Sequence, residues 1–144
     1  MTRWPILATL LLTGAAPAHL FNDAMEDAAA WPTQGSDGVT ALSRAVPGVE
    51  GRAVELTYDF GGVSGYAFAR RKADIAIPAN YELRFKLRGS GGRNDFQLKL
   101  TDGDNVWWKV WRNFRAPTEW TEVVVPANEI DFAWPVQRSC ASPC

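Results

Sequence analysis

Histidine is all but missing from this chain of 144 residues: His19 is the only one. A nucleophile activated by histidine, or a zinc site built from imidazoles, has too little to work with. Cysteine is nearly as scarce, with Cys140 and Cys144 both at the C-terminal end. A bridge between them would close a tiny loop and staple nothing central. Without further cysteines or clustered histidines, neither zinc nor redox chemistry is expected. Excess charge is missing too. Fifteen Lys and Arg face sixteen Asp and Glu, for a net charge of −1, so no electrostatic field favours nucleic acid. After the N-terminal region no run is long and apolar enough to span a bilayer. Helical periodicity is absent as well, apart from one turn over 23–30.

Apolar residues are concentrated at the start. Arg3 supplies a short basic region, Ile6-Leu7-Ala8-Thr9-Leu10-Leu11-Leu12 an apolar run, and Ala16-Pro17-Ala18 a small-x-small cleavage pattern. This is the layout of an export signal, and the run is too short for a comfortable anchor. Residues 1–18 are expected to be removed, leaving a mature chain from His19 that is secreted or periplasmic, soluble and free of the membrane. Export makes a disulfide chemically feasible. What remains is one small domain, 19–134, with an irregular tail, 135–144.

The mature chain alternates with period two, the signature of strands with one wet face. Val54, Leu56, Tyr58 and Phe60 alternate with Glu55, Thr57 and Asp59; Tyr81, Leu83, Phe85 and Leu87 with Glu82, Arg84, Lys86 and Arg88; Phe96, Leu98 and Leu100 with Gln97, Lys99 and Thr101. The segments 65–71 and 121–125 also suit strands. Gly61-Gly62, Pro78-Ala79-Asn80 and Gly89-Ser90-Gly91-Gly92 separate them. Regular short strands with Gly and Pro turns predict an all-β fold, an antiparallel β-sandwich, with a jelly roll as the favoured topology.

One strand carries most of the functional information: Asn105-Val106-Trp107-Trp108-Lys109-Val110-Trp111-Arg112-Asn113-Phe114. Alternation assigns Val106, Trp108 and Val110 to a core, and Trp107, Lys109 and Trp111 to the opposite face. A three-residue loop at Asp102-Gly103-Asp104 would pair Leu98 with Trp108 and Phe96 with Val110. It would also set Lys99 beside Trp107 and Gln97 beside Lys109. A two-residue loop would reverse those faces. The odd-length loop is expected, with Asp104 in the left-handed position it needs. Flat aromatics among polar groups suit sugar rings, which have an apolar C–H face and a polar rim. The predicted contacts are Trp107 and Trp111 for stacking, with Lys109, Lys99, Gln97 and Arg84 for hydrogen bonds. Trp31, Trp120 and Trp134 are expected to pack at strand ends.

Three runs together resemble a known family: Tyr81-Glu82-Leu83-Arg84-Phe85-Lys86-Leu87-Arg88-Gly89, then Asn94-Asp95-Phe96-Gln97-Leu98-Lys99-Leu100, then Asp104-Asn105-Val106-Trp107-Trp108. With Glu119-Trp120-Thr121-Glu122-Val123-Val124-Val125-Pro126, Phe132-Ala133-Trp134 and the entry around Asp23 to Trp31, they are similar to jelly-roll carbohydrate-binding domains of the galactose-binding-like superfamily, nearest to family-11-like modules. Such modules accompany exported bacterial glycosidases, often in proteins with a discoidin domain. The resemblance implies a polysaccharide or oligosaccharide partner and a glycosidase domain in an intact parent. Relatives often hold a structural calcium, for which Glu26 or Asp23 would supply the first-strand ligand. The last-strand acid has no counterpart, and no cofactor or metal is expected. Family members continue with a Gly-Pro turn and two further strands, whereas residues 135–144 show no strand pattern. The sequence therefore suggests a fragment, a shifted reading frame or a short variant lacking its last strands.

No catalytic residues are expected. Glu55, Asp59, Glu82 and Asp95 occupy ordinary strand positions and do not mark the two-carboxylate cleft of a glycosidase. Binding of a polysaccharide by a non-catalytic module leads. The alternatives are a structural β-sandwich of a larger glycosidase that binds no sugar itself, and a truncated remnant without function.

Overall fold

The computed structural model describes residues 20–135. The expected export signal, His19, and the cysteines of the tail lie outside the described residues. The fold is all β, with antiparallel pairing in every sheet whose register is defined. By internal contacts it forms two compact units, residues 20–46 with 52–75, and residues 47–51 with 76–135.

The first unit holds β1 (Thr33–Gly35), β2 (Thr40–Pro47), β3 (Arg52–Asp59) and β4 (Ala67–Ala69), after a 3-10 turn at Ala28–Ala30. β1 pairs with β4, and β2 with β3. The strands β1 and β2 carry no clear signal in the sequence, because Thr33–Gly35 is too short to show alternation and β2 mixes Ala, Ser and Thr with only three larger apolar side chains. Ser36 and Tyr66 lock the β1–β4 end: Ser36 N–H donates to the Tyr66 carbonyl at 2.9 Å, and Tyr66 N–H donates to Ser36 Oγ at 3.0 Å. Gly65 permits this approach, since a Cβ there would stand 2.2 Å from Ser36 Oγ.

The second unit holds β5 (Glu82–Leu87), β6 (Asn94–Asp102), β7 (Asn105–Phe114), β8 (Thr121–Pro126) and β9 (Asp131–Pro135). β5 pairs with β8, and β7 lies between β6 and β9. Leu83 sits opposite Val125 and Phe85 opposite Val123, so the apolar positions of both strands share a face. Phe85 meets Phe96 of β6 with ring centroids 6.5 Å apart, which joins the two sheets of this unit. Among the described residues only Val106 and Val125 are sealed from solvent. Cohesion rests mainly on half-buried aromatics, not on a deep aliphatic core.

The β6–β7 register departs from the sequence expectation by one residue. The loop has two residues: Asp102 pairs with Asn105, Leu100 with Trp107, Lys99 with Trp108, Leu98 with Lys109 and Phe96 with Trp111. Gly103 occupies the first loop position at φ +55°, where a two-residue hairpin turn of the II′ kind asks for glycine. The left-handed demand that a three-residue loop would place on Asp104 is met by Gly103 instead. Packing favours the same register. It stacks Trp111 on Phe96 at 5.2 Å and sets Trp111 against Phe114 at 6.3 Å. Trp107 and Trp111 therefore share the face of Phe96, Leu98 and Leu100, and Trp108 shares the face of Gln97 and Lys99.

Two bulges shape this sheet. Between Phe96 and Asn94, β7 carries one extra residue, so Arg112 and Asn113 together oppose Asp95. Asn113 adopts φ +49°, which asparagine tolerates and branched residues do not. Asn113→Val is expected to destabilise the protein by about 1–2 kcal/mol, with Asn113→Gly near neutral, as read by urea unfolding. Asp95 clasps the bulge: it accepts from Asn113 N–H at 2.9 Å and pairs with the Arg112 guanidinium. The Asn113 hydrogen bond first, and Arg112 second, hold its carboxyl below the usual carboxylate range. Because the folded pKa is depressed, the contribution of Asp95 is present above the unfolded value, about 4, and is lost as pH falls through the folded one. Asp95→Asn is expected to lower Tm at pH 7 and to differ little from the unmodified chain at pH 2, in paired thermal melts.

The second bulge lies in β9. Val106 pairs with Trp134 but Trp107 pairs with Phe132, leaving Ala133 as the extra residue. In a regular strand Phe132 and Trp134 would share a face. The bulge sends Phe132 to the side of Trp107 and Trp134 to the side of Trp108.

Candidate functional site

Register and bulge together assemble one aromatic corner on the sheet of β6, β7 and β9. Lys99 of β6 lies opposite Trp108 of β7, and Trp134 of β9 arrives on the same face. The two indoles meet edge to face, 4.9 Å between ring centroids and 87° between planes. Lys99 Nζ lies 5.6 Å from the Trp108 ring and 5.3 Å from the Trp134 ring. Such a cation over two indoles stiffens the corner by about 0.5–1 kcal/mol per contact at an exposed site. Trp134 keeps 39% of its surface accessible, whereas Trp108 is half-buried. Asp131, opposite Trp108, and Gln97 and Thr101, either side of Lys99 on β6, are exposed on the same face. The platform thus offers an indole surface rimmed by an ammonium, an amide, a hydroxyl and a carboxylate.

The six contact residues expected from the sequence fall in three places. Lys99 and Gln97 belong to the aromatic corner. Trp107, Trp111 and Lys109 lie on the opposite face. Trp107 meets Phe132 at 5.6 Å, and Lys109 Nζ pairs with Glu129 at 2.8 Å while lying 5.8 Å from the Trp111 ring. Arg84 is on the outer side of β5, between Glu82 and Glu122, the latter at 3.6 Å. Its guanidinium is held further toward the charged form, first by the hydrogen bond to Glu82 and then by that carboxylate's charge. Trp108 and Trp134, read from the sequence as core and strand-end packing, are the indoles beside Lys99. Gly103 was a usable signal for the first of these. Nothing in the alternation of Phe132 and Trp134 signals the second.

The acids are engaged elsewhere. Glu55 pairs with Arg44 at 2.6 Å, Asp59 accepts from Gly61 N–H at 2.9 Å, Glu82 pairs with Arg84, and Asp95 with Arg112. Asp23 accepts from Met25 N–H at 2.8 Å, from the Trp31 indole at 3.2 Å and from Arg71 at 2.8 Å. Glu26 accepts from Arg52 N–H at 3.0 Å. A guanidinium against Asp23 opposes a divalent cation at that carboxylate. Among the described residues no cluster of three metal-ligating side chains occurs, and no helix is long and apolar enough to cross a membrane.

No family model matches the chain, and the comparisons with curated proteins and with solved structures found no match.

Proposed function

We propose that this chain is a non-catalytic carbohydrate-binding module of the β-sandwich, jelly-roll kind, exported and acting on a polysaccharide or oligosaccharide. The observation that carries this reading is the corner of Trp108 and Trp134 beside Lys99. A pyranose ring set on the accessible face of Trp134 would bury apolar C–H surface, while Lys99, Gln97 and Asp131 exchange hydrogen bonds with its hydroxyls. The direction of attack differs from the sequence expectation: Trp108 and Trp134 replace Trp107 and Trp111 as the stacking pair, and Lys99 and Gln97 keep their roles. Engagement of Glu55, Asp59, Glu82 and Asp95 by cations or backbone N–H groups supports binding over hydrolysis, since a glycosidase needs two carboxylates directed at one bond.

The test is a titration of the full chain with a panel of soluble polysaccharides, read by tryptophan fluorescence. Saturable change with a glycan is the expected result. No response from a chain that circular dichroism shows to be folded would overturn the proposal and leave a structural β domain.

A further inference from the structure

A second feature of this unit lies in its loops and uses none of the aromatic corner. The segments 88–93 and 115–118 bound a depression of about 540 Å³ lined by Gly89, Ser90, Arg115, Ala116, Pro117 and Thr118, among others. Its walls are held together: Gly89 N–H donates to the Pro117 carbonyl at 2.8 Å, and a Cβ on Gly89 would stand 2.7 Å from the Ala116 Cβ. Gly91 adopts φ +122°, a conformation restricted to glycine, with open space around it. Arg44, Arg71, Arg84 and Arg112 each pair with a carboxylate, whereas Arg115, exposed at the depression, has no carboxylate partner among the described residues. Among the described residues the flanking arginines likewise pair with no acid. Arg88 lies 4.9 Å from the Trp120 ring and Arg93 donates to the Asn113 carbonyl at 2.9 Å. Among the described residues no ion pair joins Glu119 to any of these three. In a chain of net charge −1, these two loops carry three guanidinium groups that no carboxylate among the described residues pairs with.

We infer that this depression binds the carboxylate or sulfate of an acidic sugar. The planar fork of Arg115 takes the oxyanion through paired N–H donors. Ala116 and Pro117 present an apolar wall to the ring, and the Ser90 and Thr118 hydroxyls exchange hydrogen bonds with its hydroxyls. Arg88 and Arg93 add a positive field that salt screens.

The experiment is backbone amide NMR of the full chain with glucuronate, glucose 6-sulfate, glucose and inorganic sulfate as separate titrants. Glucuronate or glucose 6-sulfate is expected to give saturable shifts at Gly89, Gly91 and Thr118. Which of the two binds more tightly tells carboxylate from sulfate. Arg115→Gln is expected to weaken that binding about tenfold or more while leaving any response of the Gln97 and Trp134 amides unaltered, which separates this site from the aromatic corner. Any of three results overturns the inference: no saturable shift with either acidic sugar, an equal response to glucose, or inorganic sulfate binding as tightly as the acidic sugars. Undiminished binding in Arg115→Gln does the same.

Discussion

Trp134→Ala is expected to weaken glycan binding about tenfold or more while leaving the chain folded. The indole is 39% accessible and is the most open aromatic of the corner. A sugar ring covering it removes apolar surface from water on both partners, and losing that burial forfeits about 1.5 kcal/mol or more. The folded chain loses a comparable amount. Trp134 touches Trp108 edge to face at 4.9 Å and receives the Lys99 ammonium at 5.3 Å, contacts worth about 1–2 kcal/mol together at a partly exposed site. Lys99→Ala should weaken binding by a smaller factor, since it removes one polar contact and loosens the corner. Affinity by fluorescence titration and stability by thermal melt, measured on the same variants, separate the two effects. Unchanged affinity in Trp134→Ala would remove Trp134 from the binding surface.

Trp111→Ala should do the reverse. Trp111 stacks on Phe96 at 5.2 Å with 25° between ring planes, lies against Phe114 at 6.3 Å, and receives Lys109 at 5.8 Å. Phe96 in turn meets Phe85 of the other sheet of this unit. Truncation would therefore hollow out the junction between those sheets. Complete burial would set the loss at about 3–5 kcal/mol; Trp111 is only half-buried, so about 2–3 kcal/mol is expected, seen as a lower urea midpoint with little change in slope. Trp111→Phe should recover much of it by keeping a ring on Phe96. Glycan affinity of the folded fraction should be unaltered. If Trp111→Ala instead abolished binding without loss of stability, the contact face would be the one that alternation alone suggests, and the Trp108–Trp134 corner would be excluded.

These variants turn on the same question of facing. Alternation along β5 and β6 is strong, so those strands, their apolar sides, the existence of β7 and the Gly-rich loop after Leu87 could be read from residue type, whereas the facing of β7 could not. β1, β2 and β9 could not. They are short or rich in small side chains, and period two needs several large residues to show itself. Lys109 is a further case. Alternation marks it as wet, and it lies directly opposite Leu98. It is accommodated because Glu129 reaches Nζ at 2.8 Å and Trp111 covers its charge. Glu129 comes from a 3-10 turn twenty residues later, a contact that no local pattern announces.

The chain's own residues determined its all-β class, the place of most of its strands and turns, the poverty of catalytic histidine and cysteine, and the concentration of indoles on β7. Those properties depend on side-chain period, backbone freedom and composition, which are local. Tertiary structure alone decided which indoles stand together. Pairing can slip by one residue without altering either strand, and each slip turns every side chain over. Gly103 and the Phe96–Trp111 stack selected the register, and the extra residue at Ala133 then turned Trp134 toward Lys99 and Trp108. The aromatic corner is a product of two pairing events between strands, so its residues are visible in the sequence and their partnership is not.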